Sequence, residues 1–332
     1  MTEENMPKRE GQKLKLHYLR EILLKETDNE HGLTAAELME KLREYGISVE
    51  RRTLYNDIEM LKSTGIEIST ERIGREQKYS VTYKPFELPE LKLLVDAVQS
   101  SKFITEKKSK ELIEKLTELG SRYEANQIKR QVEYSGRVKS ENSSIMYNVD
   151  GIHKAIADNK KISFEYLRWN INKTLEPKRN VPYEVSPWAL TWADENYYLI
   201  GCMDNGEIRH YRVDKIKNVK VLNEKRSGKD VFRNFNIAEY NKGLFRMFAG
   251  EEREVRLRLK NNLAGVLIDE FGKDIKLKPH SDDELEAIIR VSVSNMFFGW
   301  IFGLGEDIRI VSPEDVVGRY KECVERIQKE YK

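Results

Sequence analysis

The chain has 332 residues, 39% apolar and 34% charged, with 58 Lys and Arg against 56 Asp and Glu and a net charge of +2. That length exceeds one ordinary core and predicts two or three domains, while the charge balance excludes holding a polyanion by global attraction. The sequence has no run of about 18 apolar residues and no apolar signal segment in MTEENMPKREGQ, its five His are scattered and Cys202 and Cys323 lie far apart, so a soluble cytoplasmic protein without membrane contact, metal or cofactor is expected.

From the N-terminus, QKLKLHYLREILLK (12–25) places Leu16, Leu19, Ile22 and Leu23 at helical spacing. Thr34 and Glu37 form a capping-box pair, so a second helix is expected to start there and stop near Gly46. Ser48 is expected to cap a third helix that ends at Gly65, and two alternating runs around Gly74-Arg75 predict a β-hairpin. Three helices and a hairpin make a winged helix-turn-helix.

On a helical wheel the third helix buries Leu54, Ile58 and Leu61 and turns Arg52, Tyr55, Asn56 and Glu59 outward, with Thr53 flanking. Arg grips guanine edges, Asn reads adenine, and Thr and Tyr reach phosphates. Arg72, Arg75 and Lys78 place positive charge on the wing. The alternative is an ordinary solvated helix face, and Glu59, Glu71 and Glu76 oppose strong non-specific binding. SVERRTLYNDIEMLKSTGIEI resembles the N-terminal winged helix of a large family of bacterial transcription regulators, through Arg52, Thr53, Tyr55 and Asp57. Asn56 stands where that family commonly has a basic residue. The resemblance implies DNA contacts from Arg52, Thr53, Tyr55, Asn56, Arg75 and Lys78.

Residues 86–131 carry two apolar stripes, Leu91/Leu94/Val95/Val98 and Leu112/Leu116/Leu119, which predict two helices around a loop near SSKFITEKK. One helix pair covers two stripes poorly, which favours a dimer contact over packing onto the winged helix. The polar VKSENSS (138–144) marks a domain boundary.

A short helix in IHKAIADNKK and a strand in ISFEYL precede short strands near 183–193, 196–202, 207–213 and 216–222, with a turn at Asp204-Asn205-Gly206. This pattern predicts a small curved sheet or barrel. Alternation puts Tyr197 with Leu199, Tyr198 with Ile200, and His210 with Arg212 opposite the apolar Tyr211 and Val213. Arg209 at the strand's start could join His210 and Arg212, with Ser186, Trp188 and a tyrosine completing a rim. Guanidinium forks beside aromatic rings suit phosphates and stacked bases. Pairing of an arginine with Asp214 or Glu207 is the alternative. No nucleophile, carboxylate pair or glycine-rich phosphate loop points to catalysis.

The stretch SPWALTWADENYYLIGCMDNGEIRHYRVDKI resembles the WYL domain, through SPWAL, the tripeptide Tyr197-Tyr198-Leu199 and the strand from Arg209 to Ile216. Tyr197 replaces the family's Trp, and Lys215 replaces a common Arg. The resemblance implies an SH3/Sm-like β-barrel that binds a nucleotide or nucleic-acid-like effector through Ser186, Trp188, Tyr197, Arg209, His210 and Arg212.

An aromatic-rich connector (230–250) precedes a β-α-β-β-α-β order and a terminal helix, a ferredoxin-like arrangement. It resembles the extension that often follows WYL domains, whose penultimate helix carries a Trp, here Trp300; the family's usual Cys is absent, with Gly303 in that region. The apolar NMFFGWIFGLG must bury at least one face, and Trp300 reads as core.

The expected fold is therefore α+β and multidomain: a winged helix-turn-helix over 8–84, a helical connector over 85–137, a WYL effector domain over 145–225 and a ferredoxin-like extension over 250–332. The expected function is a non-enzymatic, homodimeric transcription regulator. Its partners are double-stranded DNA and an anionic effector: a nucleotide, cyclic dinucleotide or short single strand. The alternatives are a nucleic-acid-sensing adaptor that binds single strands through the barrel without regulating promoters, and an enzyme using His210.

Overall fold

In the computed structural model, residues 8–131, 139–193, 195–230, 232 and 250–331 are described, and two units divide the chain at Ser143/Ser144. The 230–250 connector lies largely outside the described residues, as does the first residue of the 138–144 boundary. No helix among the described residues is long and apolar enough to cross a membrane.

The first unit starts with α1 (Lys8–Glu26), a two-residue strand β1 (Leu33–Thr34), α2 (Ala35–Glu44) and α3 (Arg51–Ser63). The hairpin β2 (Ile68–Ile73) and β3 (Glu76–Val81) follows, and β1 joins it in the order β1-β3-β2. Helical spacing buries Leu19, Leu23, Leu38, Leu42, Leu54 and Ile58 in one core. The capping box at the start of α2 is formed: Glu37 N donates to Thr34 Oγ1, and Thr34 N donates to Glu37 Oε2 at 2.7 Å. The Thr34 amide, opposed by partial burial, holds the Glu37 carboxyl below its usual range.

Ser48 does not cap α3. Glu50 occupies that position with no side-chain cap bond, because the helix begins at Arg51, later than the run of helix formers suggests. Gly65 ends the helix region with φ +92°, a left-handed conformation that disfavours any Cβ.

The connector holds three helices where two were expected: α4 (Leu88–Ser100), α5 (Glu106–Thr117) and α6 (Arg122–Gln131). Ile128 of α6 joins Leu91, Val95 and Ile113 in one cluster, so the third helix supplies cover that the sequence reading sought in a second subunit. Leu93 and Leu119 stay exposed. Polar contacts tie this bundle to the winged helix: Lys84 Nζ lies 2.7 Å from Glu124 Oε2, and Ser121 Oγ donates to Asp28 Oδ2 at 2.6 Å. The ring of His31 stacks on Tyr123 at 3.7 Å.

The second unit opens with α7 (Ile145–Ala157), longer than expected. A curled antiparallel sheet follows: β4 (Lys160–Trp169), β5 (Leu175–Pro177), β6 (Tyr183–Ala193), β7 (Asn196–Cys202), β8 (Ile208–Arg212) and β9 (Ile216–Lys225). The order is β5-β4-β6-β7-β8, and β9 pairs back onto β4. Register shifts in the β4–β9 ladder and at Pro187/Ala189 in β6 allow the sheet to bend. Leu199 and Ile200, on opposite faces of β7, are both fully buried, so the sheet is covered on both sides there. Phe164, Tyr166, Tyr183 and Tyr211 make edge and stacked contacts with centroids 5.2–6.5 Å apart.

The chain then continues through β10 (Glu251–Lys260), α8 (Ala264–Phe271), β11 (Lys276–Pro279), β12 (Glu284–Val293), α9 (Asn295–Gly303), β13 (Ile308–Ser312) and α10 (Glu314–Glu330). All pairings are antiparallel in the order β11-β12-β10-β13. Phe297, Phe298 and Ile301 of α9 are buried against this sheet, and Trp300 packs edge-on to Phe271 at 5.6 Å. Phe302 remains exposed, at 63%.

Candidate nucleic-acid interface and effector face

Helix α3 sorts its residues by face. Leu54, Ile58 and Leu61 anchor it, and Asp57 is buried in an ion pair, its Oδ2 2.7 Å from Lys15 Nζ of α1. Outward stand Arg51, Arg52, Tyr55 and Asn56, all exposed, with Thr53 half-buried. Neither Arg51 nor Arg52 is engaged in an ion pair among the described residues. Across the β2–β3 turn Ile73 pairs with Glu76, leaving Gly74 (φ +63°) and Arg75 at the exposed tip. Lys78 is half-buried and near enough to help depress the Glu37 carboxyl, after that group's own hydrogen bonds and burial. Free cations and amide-bearing side chains over an apolar anchor suit groove edges and phosphates.

In the curled sheet, register decides which candidate residues meet. Ile200 of β7 pairs with His210 of β8, and Tyr198 with Arg212, so these four share a face. Trp188 lies on that side, packed with Ile200 and Cys202. Leu199 pairs with Tyr211 and Gly201 with Arg209, so Arg209 projects to the opposite face, as does Tyr197, which lies tilted against Trp192 at 5.8 Å. The six candidates are therefore split. His210, Arg212, Trp188 and Ser186 are on one side, and Tyr198 takes the neighbouring place that the motif gives to Tyr197.

Both arginines are forked onto carboxylates. Arg209 donates to Glu207 at 2.8 and 2.9 Å, both side chains being well exposed. Arg212 donates through Nε and Nη2 to Asp214 at 3.0 and 2.9 Å, with Asp214 6% exposed and Arg212 40%. The pair holds the guanidinium plane in place and leaves Nη1 uncommitted, with two donors for an oxyanion. The Tyr166 hydroxyl accepts from Arg212 N at 3.2 Å, and burial pushes the phenol up to about 12, so it stays neutral. Burial holds the His210 imidazole below its ordinary value.

Ser186 and Trp188 are engaged by the segment after β9. Ser227 N donates to Ser186 Oγ at 2.9 Å, and Trp188 Nε1 donates to the Ser227 carbonyl at 2.9 Å. Arg226 lies 4.2 Å from the Trp188 ring centroid and donates to the Pro187 carbonyl at 2.8 Å, while Phe232 stacks on the same indole at 4.7 Å. Sequence reasoning missed Arg226 and Phe232, which lie beyond the motif. It also missed Trp169, whose ring lies 4.8 Å from Lys215 Nζ. The only sequence signal was a cation or aromatic near a strand end, which is too common to single out.

The WYL domain model matches residues 147–221, and the WCX domain model matches residues 251–328. The chain is 23% identical over 309 residues to an uncharacterized HTH-type transcriptional regulator, YobV, of Bacillus subtilis (strain 168), covering 90% of this chain and 93% of that one. Among solved structures it is similar to proteasome accessory factor B/C (PafBC) of Arthrobacter aurescens, at 17% identity and a TM-score of 0.29 over 96% of this chain. It is also similar to a CRISPR Cas-related protein, at 15% identity and a TM-score of 0.38 over 66% of this chain. The chain spans 48% and 61% of those two, and both scores are too low to establish a shared overall fold.

Proposed function

The chain belongs to the WYL-domain transcriptional regulators, and from that premise we propose that it binds operator DNA through α3 and adjusts that binding when an anionic effector occupies the sheet around Arg212. The observation that carries the reading is the outward side of α3, where Arg51, Arg52, Tyr55 and Asn56 stand exposed and both guanidiniums are uncommitted. Arg52 and Asn56 read base edges, while Thr53, Tyr55, Arg75 and Lys78 hold phosphates. On the effector side, the Asp214-braced Arg212, with His210 beside it, receives a phosphate, and Trp188 supplies a ring; Ser186 positions that edge. Tyr197 and Arg209 act from the opposite face as structural supports.

We read the four domains with the boundaries 8–84, 85–137, 145–225 and 250–332. The curled sheet is read as an SH3/Sm-like barrel, supported by β9 pairing back onto β4. The strand order β11-β12-β10-β13 supports a ferredoxin-like reading of the last domain. The regulator acts in the cytoplasm as a homodimer, for which the exposed Leu93 and Leu119 are candidate contacts, and it performs no catalysis.

Footprinting on the DNA upstream of the protein's own gene tests the reading. Protection is expected from wild type and from Arg212→Ala without effector, and is expected to vanish with Arg52→Ala. Protection indifferent to Arg52→Ala but lost with Arg212→Ala would instead support a single-strand-sensing adaptor.

A further inference from the structure

Trp188 is enclosed in a way that its place in the motif does not explain. Phe232 stacks on the indole at 4.7 Å with planes only 3° apart, and the Arg226 guanidinium lies 4.2 Å from the same centroid. Two neighbours that close cannot share one face, so the indole is sandwiched between a flat ring and a cation. Phe232 is 7% exposed and also packs on Ile200 and Cys202. Gly228 makes the approach possible: with φ +85°, a Cβ there would meet Cys202 Sγ at 2.6 Å and Trp188 Nε1 at 3.3 Å.

The polar attachments of this segment are at its start. Arg226 donates to Pro187 O and to Asn159 Oδ1, and Ser227 bonds Ser186 and the Trp188 indole. Phe232, further on, is attached through the stack. The stack also borders the effector face: Ile200, which packs with Trp188 and Phe232, pairs with His210. Arg212 comes two residues later on β8, about 7 Å along the strand. A base over the indole and a phosphate at Arg212 Nη1 are thus within the span of one nucleotide.

We propose that Phe232 is an internal stand-in for the effector's flat ring: a ligand with a planar heterocycle and a phosphate replaces it on Trp188, sets the phosphate at Arg212, and lifts residues 228–232 off β6 and β7. The proposal rests on the effector reading above and adds to it the ligand's planar group and the segment that ligand displaces. Base–aromatic stacking tolerates any base, so the site selects for a ring plus a phosphate rather than for one nucleobase.

The test compares AMP, a short oligothymidylate and ribose 5-phosphate, which has no base, by titration calorimetry on the full chain. Phe232→Leu keeps apolar cover over Ile200 and Cys202 but removes the competing ring. It is expected to tighten binding of the base-bearing probes by about 3- to 10-fold, the worth of one aromatic stack, and to leave ribose 5-phosphate unchanged. Trp188→Ala is expected to weaken only the base-bearing probes. In wild type, bound AMP is expected to speed tryptic cleavage after the exposed Lys229. Equal affinities of wild type and Phe232→Leu for every probe, with binding still lost in Arg212→Ala, would overturn the displacement and leave the effector reading standing. No binding of any probe by any variant, all folded by circular dichroism, would overturn both.

Discussion

His210 and Arg212 stand on one strand face, yet burial treats them differently. Arg212 keeps its charge because Asp214 offsets the cost of partial burial, and the forked geometry holds it in one orientation. His210 is pushed towards the neutral form, burial being the cause. A folded pKa below the unfolded value of about 6.5 means that the unfolded chain takes up the proton first as pH falls. The His210 contribution is therefore fully present above that value and declines as pH drops through it towards the folded pKa. A phosphate bound beside the ring reverses the preference, because it favours imidazolium. Effector binding is thus expected to take up a proton and to tighten between pH 7.5 and pH 6, and His210→Gln to flatten both trends. Calorimetry in two buffers of different ionisation enthalpy measures the uptake; identical heats in both would refute a His210 contribution.

Two hydroxyl residues near helix starts in the winged helix read alike in the sequence and differ in the structure. Thr34 closes a reciprocal capping box with Glu37, whereas Ser48 is exposed and lies three residues before the first residue of α3. Thr34→Ala is expected to cost about 1 kcal/mol. Ser48→Ala is expected to stay within about 0.5 kcal/mol. Denaturant midpoints of the two variants check the contrast, and an equal loss from both would contradict the cap assignment. The same comparison shows what the sequence made legible. Caps with two partners, apolar periodicity in α2, α3 and α10, and the turns at Gly74 and Gly206 come from local chemistry and were readable. Helix α6, RYEANQIKRQ, buries little besides Ile128, so its periodicity carried no signal. Strand β1 has two residues and exists only because β3 pairs with it. The split of Tyr197 and Arg209 from His210 and Arg212 depends on β7–β8 register, and the Trp188 sandwich on a residue 44 positions later in the chain; neither is set by neighbours in sequence.

At the scale of the whole chain, a net charge of +2 cannot draw DNA from a distance, so affinity must come from the few cations that touch phosphate or bases. Each phosphate neutralised releases condensed counterions, and log Kobs falls with log salt by about 0.9 per contact. Arg75 at the wing tip is assigned to phosphate, so Arg75→Ala is expected to lower the salt slope by about 1 and to weaken cognate and scrambled operators alike. Arg52 is assigned to a base edge, so Arg52→Ala is expected to weaken the cognate site by about 1–3 kcal/mol while scrambled DNA binds nearly as before. Fluorescence anisotropy across a salt series separates the two effects. The distinction matters for regulation, since an effector that changes only phosphate contacts shifts binding at every sequence and cannot select a promoter. If both variants lose the same slope and the same specificity ratio, α3 and the wing do not divide the work, and the outward face of α3 is a phosphate-binding surface instead of a reader of bases.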